Sequence, residues 1–187
     1  EGKTDIKYIK AALKTYHLEF PNLIEKKEDG EFDFRVAFLK RTNRLAHFLN
    51  IKKDGADTMK NICKYFFDIK NSNVPNYLKT FKILTKQIAS NPTILIFDNE
   101  ISNSDKPVSK IIKEIKPKED SRVILTEKSY LNLEGSLYLL MNPLVKNKKE
   151  CEIEDLFDEA TLNHKINGKK FSREKNIDLN KYYGKER

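Results

Sequence analysis

The sequence predicts an α/β fold with a mainly parallel central sheet, flanked by helices and carrying helical insertions. Three observations predict it. Thr93 to Phe97 is a short continuous run of apolar and β-branched side chains, the pattern of a strand buried on both faces. Stripes of apolar residues at helical spacing stand on either side of that run. Beyond it the order strand, helix, strand calls for a parallel pair joined by a crossover.

Taken in order, Thr4 can cap a helix with apolar positions Ile6, Ile9, Leu13 and Tyr16. Glu1 lies just before that helix and Asp5 in its first turn. Its free N–H groups can hold an anion. A Glu-Gly turn entering a helix calls for a preceding strand. The chain begins at Glu1 without Met, so it reads as a piece of a longer polypeptide. Phe20 to Gly30 is loop-like, with Pro21 and a Glu28-Asp29-Gly30 turn. Phe32 to Leu39 reads as a strand or as the start of a helix. Leu45 to Ile51 is open in the same way, and Asp54-Gly55 breaks the pattern. Met59, Ile62, Cys63, Phe66 and Ile69 form a helical stripe that starts near Asp57 or Thr58. A turn at Asn71 to Pro75 separates it from a second stripe along Tyr77, Leu78, Phe81, Leu84 and Ile88. Both stripes read as ordinary core faces.

Beyond the central strand, the polar loop from Ser102 leads into a helix with Val108, Ile111, Ile112 and Ile115, and Pro107 suits its first turn. Arg122 to Leu125 and Leu137 to Met141 read as strands, with a Glu134-Gly135 turn between them. Ile153, Leu156, Phe157 and Ala160 have helical spacing. Glu150, Glu152, Glu154 and Asp155 then occupy the first turns of a helix, where carboxylates are favoured electrostatically; a functional role is the alternative. In the tail, Lys169, Lys170, Arg173, Lys175, Lys181 and Lys185 can follow a phosphate backbone, with Tyr182 or Tyr183 stacking on bases. The bland alternative is a solvated terminal segment.

The 187 residues suffice for one sizeable domain with its own core, and we read 1–187 as that domain. Lys and Arg number 36 against 28 Asp and Glu, a net charge of +8. Such a surface suits a polyanionic partner, and equally a lysine-rich soluble protein. Cys63 and Cys151 are not in CxxC spacing, and His17, His47 and His164 are isolated, which excludes a Cys/His zinc constellation. Cys63 sits among apolar residues and reads as core. No apolar run has the length of a membrane span, and no signal peptide is visible. A reducing, cytoplasmic setting without a membrane partner is the expectation.

The predicted central strand runs into Asp98 and Glu100. In open α/β sheets ligands bind beyond the carboxyl ends of the strands. Side chains at i and i+2 share one side of an extended backbone, so the two carboxylates can hold a hard cation such as Mg²⁺. The competing role is a strand-end Asp that caps a turn.

Glu1-Gly2-Lys3-Thr4-Asp5 followed by an amphipathic helix resembles the first motif of Toprim domains, in particular those of the overcoming-lysogenization-defect nuclease type. Phe97-Asp98-Asn99-Glu100 resembles the second motif, a strand ending in Asp-x-Asp, with Glu in place of the second Asp. The longer side chain moves the ligating oxygen. Lys149 to Phe157, together with Asn180 to Glu186, looks like the Toprim-type extension at the C-terminus of certain retron reverse transcriptases. No Tyr-x-Asp-Asp polymerase motif is present, so that enzyme would lie upstream.

The resemblance implies a Toprim-like fold and phosphodiester cleavage of DNA or RNA with Mg²⁺ or Mn²⁺. Glu1 would be a general acid/base or a metal ligand, and Asp98 and Glu100 would hold the metal. Asp5 and Glu154 would serve a second metal position, and Lys3 or Lys181 would stabilise charge on the phosphate. The implied partners are the reverse transcriptase and its RNA-linked DNA, which would restrain a toxic nuclease used in anti-phage defence. Two other readings stay open: a non-catalytic module that binds nucleic acid or a partner protein, and primase-like nucleotidyl transfer.

Overall fold

The amphipathic pattern at the start of the chain folds as helix α1, Lys3–Thr15. The structure is a computed structural model in which residues 3–39, 42–49, 56–68, 75–115, 120–145, 147–174 and 176–184 are described. Glu1, Ile51, Asp54-Gly55, Ile69, Asn71, Lys175, Lys185 and Glu186 lie outside the described residues. Helix α1 starts at Lys3, so Thr4 lies within its first turn and is not the cap; Asp5 is in that turn as expected. The chain folds as two compact units, one of residues 43–158 and one of residues 2–42 with 159–187.

The first unit holds the larger sheet. Its helices are α2 (Asn43–Phe48), α3 (Ala56–Cys63), α4 (Tyr77–Thr85), α5 (Pro107–Ile115) and α6 (Ser121–Lys128). Its strands are β3 (Thr93–Phe97), β4 (Tyr130–Glu134) and β5 (Leu137–Met141), numbered after β1 (Ile24–Lys26) and β2 (Phe32–Phe34) of the other unit. The strand order is β3-β5-β4. Strands β3 and β5 run parallel, with Leu95 opposite Leu139 and Phe97 opposite Met141. Strands β4 and β5 form an antiparallel hairpin. The sheet is therefore mixed, and the mainly parallel sheet expected from the sequence is replaced by one parallel and one antiparallel pairing.

One face of this sheet builds the core. Leu95, Phe97, Leu131, Leu133, Leu137, Leu139 and Met141 pack with Val108, Ile111 and Ile112 of α5, Leu125 of α6, and Cys63 and Phe66. The other face is open: Ile94 is 53% and Tyr130 50% exposed. Strand β3 is an end strand with alternating burial, so the run Thr93 to Phe97 is not buried on both faces.

Two further expectations are corrected. Arg122 to Leu125 is helical, not extended. Ser121 and Leu125, four residues apart, are its buried positions, and this is helical spacing. Ser129 adopts a left-handed conformation (φ 58°) and ends α6 through an N–H bond to the Leu125 carbonyl. The strand begins one residue later, with Leu131 and Leu133 alternating inward. The stripe along α4 is not a full core face. Left-handed Lys86 ends the helix, Ile88 falls beyond it, and Leu84 and Ile88 are 76% and 77% exposed.

The second unit contains α1, the antiparallel hairpin β1-β2, α7 (Glu159–Asn163), and the short parallel pair β6 (Lys170–Phe171) and β7 (Tyr182–Tyr183). The tail thus contributes backbone ladder bonds, and the Tyr183 hydroxyl donates to the His164 carbonyl at 3.0 Å. No helix among the described residues is long and apolar enough to cross a membrane.

Candidate functional site

The parallel register brings the carboxyl ends of β3 and β5 out of the sheet side by side, so Asp98 and Asn142 become neighbours. The Asn142 N–H donates to the Phe97 carbonyl at 3.1 Å and extends the ladder by one step. Its side-chain amide donates to Asp98 Oδ1 at 2.9 Å. The Ile153 N–H donates to the same oxygen at 3.2 Å. Ile153 opens a 3-10 turn, Ile153–Leu156, so Asp98 caps that turn from 55 residues away. The capping role considered for a strand-end Asp is realised, across the fold rather than locally.

Asn99 binds the two acidic segments together. It forms an antiparallel bridge with Cys151, with N–H donors at 2.8 Å and 2.9 Å from the opposing carbonyls. Its side-chain amide donates to the Asn142 carbonyl at 2.9 Å. Asn99 is 3% exposed, and its Oδ1 is buried without a hydrogen-bond partner among the described residues. The Glu100 N–H donates to the Asp98 carbonyl at 3.1 Å, which turns the backbone about Asn99. The chain therefore does not run extended through Glu100, and the same-side argument for its carboxylate does not apply.

Glu100 meets a partner that sequence reasoning missed. Lys106 Nζ lies 2.5 Å from Glu100 Oε1, with the side chains 38% and 20% exposed respectively. The hydrogen bond to Glu100 raises the Lys106 pKa above the ordinary lysine range, and the charges of Glu150 and Glu152 add to it. Ser102 Oγ is 3.4 Å from Glu150 Oε1. Asp155 pairs with Lys148 at 2.7 Å and accepts the Glu152 N–H at 3.0 Å. Glu154 is 1% exposed within the 3-10 turn. Burial pushes the Cys151 thiol pKa up, helped by the charge of Asp155. The expected helix start at 150–155 is thus a short 3-10 turn, because Phe157 returns to extended backbone.

The side chains that follow β3 carry oxygens of the kind a hard cation takes: the carboxylates of Asp98 and Glu100, and the orphaned amide oxygen of Asn99. Mg²⁺ commonly uses one or two carboxylates with waters and substrate phosphates, so this donor chemistry fits it. Among the described residues no group of three His, Cys, Asp or Glu is placed to hold a metal. Asp98, Glu100 and Glu154 belong to the unit of residues 43–158, whereas Lys3, Asp5 and Lys181 belong to the other. Asp5 sits in the first turn of α1. Lys181 is 75% exposed and lies 3.9 Å from Asp178.

Asn142 had a readable signal: it is the polar residue directly after the second apolar strand. Lys106 had none, because its pairing depends on how the loop 102–106 folds back. No protein-family model matches the sequence, and no solved structure matches the fold at a significant level.

Proposed function

We propose that this chain carries a metal-dependent nuclease site that hydrolyses phosphodiester bonds of DNA or RNA. One observation carries the reading. The Asn99–Cys151 bridge brings the acids after β3 to the acids of 150–155 at the carboxyl end of a parallel strand pair. The Toprim-like motifs at 1–5 and 97–100 supply the reaction class. Asp98 and Glu100 would hold Mg²⁺ or Mn²⁺, with Glu1 as the further acid. Such an ion lowers the pKa of a bound water and neutralises charge developing on the phosphate. The protein's own contribution is positioning. Asn142 and the Ile153 N–H fix Asp98. Lys106 holds Glu100 and offers a cation to the phosphate. The retron resemblance extends the proposal to a toxic cytoplasmic effector restrained by a reverse transcriptase and its RNA-linked DNA.

The test is cleavage of labelled single-stranded DNA, duplex DNA and RNA in Mg²⁺, Mn²⁺ or EDTA, beside the Asp98→Ala/Glu100→Ala protein. Metal-dependent cutting that the double variant abolishes is the expected result. Cutting that survives the double change overturns the metal mechanism. The Glu100–Lys106 pair favours a second reading, a non-catalytic binding module, because an ammonium already neutralises that carboxylate. Binding without cleavage, indifferent to EDTA, would establish it.

A further inference from the structure

The unit of residues 2–42 with 159–187 carries a second feature, independent of the acids. Lys7, Lys10 and Lys14 follow one another at i, i+3 and i+7 along α1, which puts them in one row. They span about 10 Å of helix. Beneath Lys10 and Lys14 lies strand β2 of the hairpin β1-β2. The Lys10 ammonium stands 5.4 Å from the Phe34 ring centroid and 5.1 Å from that of Phe38. Lys14 stands 5.5 Å and Lys26 5.9 Å from the Phe32 ring. The imidazole of His17 meets Phe32 edge-on at 5.3 Å.

Charge on this hairpin is segregated by face. The register pairs Lys26 with Phe32 and Ile24 with Phe34, while Glu25 pairs with Asp33. Alternation along the strands puts Glu25 and Asp33 on the opposite face from the rings and Lys26. Arg35 pairs with Glu25 at 2.7 Å, on that acidic face. The remaining hairpin acids, Glu28, Asp29 and Glu31, stand at the turn. The aromatic face is therefore cationic although residues 24–35 are rich in acids.

We propose that this row of lysines, with Lys10 and Lys14 held over rings, is a track for the phosphates of a single nucleic-acid strand. Three ammoniums spread over about 10 Å of helix can each contact a phosphate of one flexible strand. A ring under an ammonium restricts its position while its N–H donors still reach outward. This reduces the ordering that binding would otherwise require. A single row of cations matches one strand; nothing in it repeats at the spacing of a second. The track needs no cleavage chemistry, so it stands or falls apart from the nuclease reading.

The test is fluorescence anisotropy of a labelled oligothymidine with the full chain, in EDTA, at several salt concentrations. A duplex of equal length and phosphatidylserine vesicles are run alongside. Each single-strand phosphate contact contributes about −0.7 to the slope of log K against log salt. Lys7→Gln/Lys10→Gln/Lys14→Gln should make the slope shallower by about 2 and weaken low-salt binding at least about tenfold. Lys7→Arg/Lys10→Arg/Lys14→Arg should keep both, which separates charge from folding. Phe34→Leu/Phe38→Leu should weaken binding with the slope unchanged, because the charges remain while their placement is lost. An unchanged slope in the Gln variant overturns the proposal. So does equal loss in the Arg variant, or equal binding of duplex or vesicles.

Discussion

Replacing Asn142 with alanine tests whether Asp98 is held as the geometry shows. Asn142 is 7% exposed, and its side-chain amide donates to Asp98 Oδ1 at 2.9 Å. Its other two bonds here use backbone atoms: its N–H to Phe97 and its carbonyl from the Asn99 amide. Alanine keeps both of those and removes only the bond to the carboxylate. A hydrogen bond to a charged group contributes about 1.5–3 kcal/mol. With a urea m-value of about 2 kcal/mol per M, the midpoint of the transition involving residues 43–158 should fall by about 1 M. Asn142→Asp, which sets two carboxylates at this contact, should cost more than alanine at neutral pH. That excess should vanish in acid, where the carboxyl groups are protonated. If Asp98 is a metal ligand, losing the residue that orients it should also lower metal affinity or cleavage about 10–100-fold. A midpoint within about 0.2 M of the parent would refute the bond's energetic role. A normal drop in stability with unchanged cleavage would leave Asp98 as the cap of the 3-10 turn and nothing more.

Three other outcomes are expected of the same structure. Leu139 is fully buried at the centre of β5, so Leu139→Ala should lower stability by about 2–5 kcal/mol in urea unfolding. Burial raises the Cys63 thiol pKa to about 12 and also raises that of Cys151, so neither is a ready thiolate. Ellman's reagent should find neither thiol in the folded protein at pH 8 and both after denaturation; prompt reaction of the native chain would contradict their burial. Lys106→Met should cost at most about 1 kcal/mol, since the pair is partly exposed. Glu100 raises the Lys106 pKa on folding, so this contribution is present below the ordinary lysine value and lost as pH climbs through the raised one. The difference between parent and variant should therefore close in strongly alkaline buffer, and a difference that widens there has the wrong sign.

Much of the larger unit was legible because its elements carry clean periodicity. Val108, Ile111, Ile112 and Ile115 mark α5, and Leu137 to Met141 mark β5, each where the apolar pattern puts it. The run Val123-Ile124-Leu125 misled because three branched apolar residues look extended over so short a window. Its helical state is set by contacts that bury Ser121 and Leu125 together, and by a left-handed Ser129 that no composition rule marks. The hairpin β1-β2 has three-residue strands: Ile24–Lys26 lies in the stretch read as loop, and Phe32–Phe34 is too short for alternation to decide between strand and helix start. At the candidate site, Asp98 was readable as a strand end. Asn142 was marked as the polar residue after the second apolar strand, but its pairing with Asp98 was not legible, since it depends on the parallel register, and that of Ile153 depends on the bridge at Asn99.

Asp98 and Glu100 differ in how they are held, and this bears on what the site can do. Asp98 is bound by a side-chain amide of a buried residue and by a backbone N–H, neither of which can leave without disturbing the sheet end. Glu100 is bound by a lysine on a flexible four-carbon stem, 38% exposed. A divalent cation at Glu100 and the Lys106 ammonium repel each other, so occupancy of one requires the other to swing away. The energy of that exchange is small because the pair is partly solvated. Under the nuclease reading Lys106 would set the metal concentration at which Glu100 is engaged, rather than forbid it. Under the nuclease reading, Lys106→Met should tighten Mn²⁺ binding measured by calorimetry, while any cleavage that draws on the lysine's charge falls. Under the binding-module reading the same variant takes up no metal, because the ammonium is then the resident cation of the site and not a competitor for it.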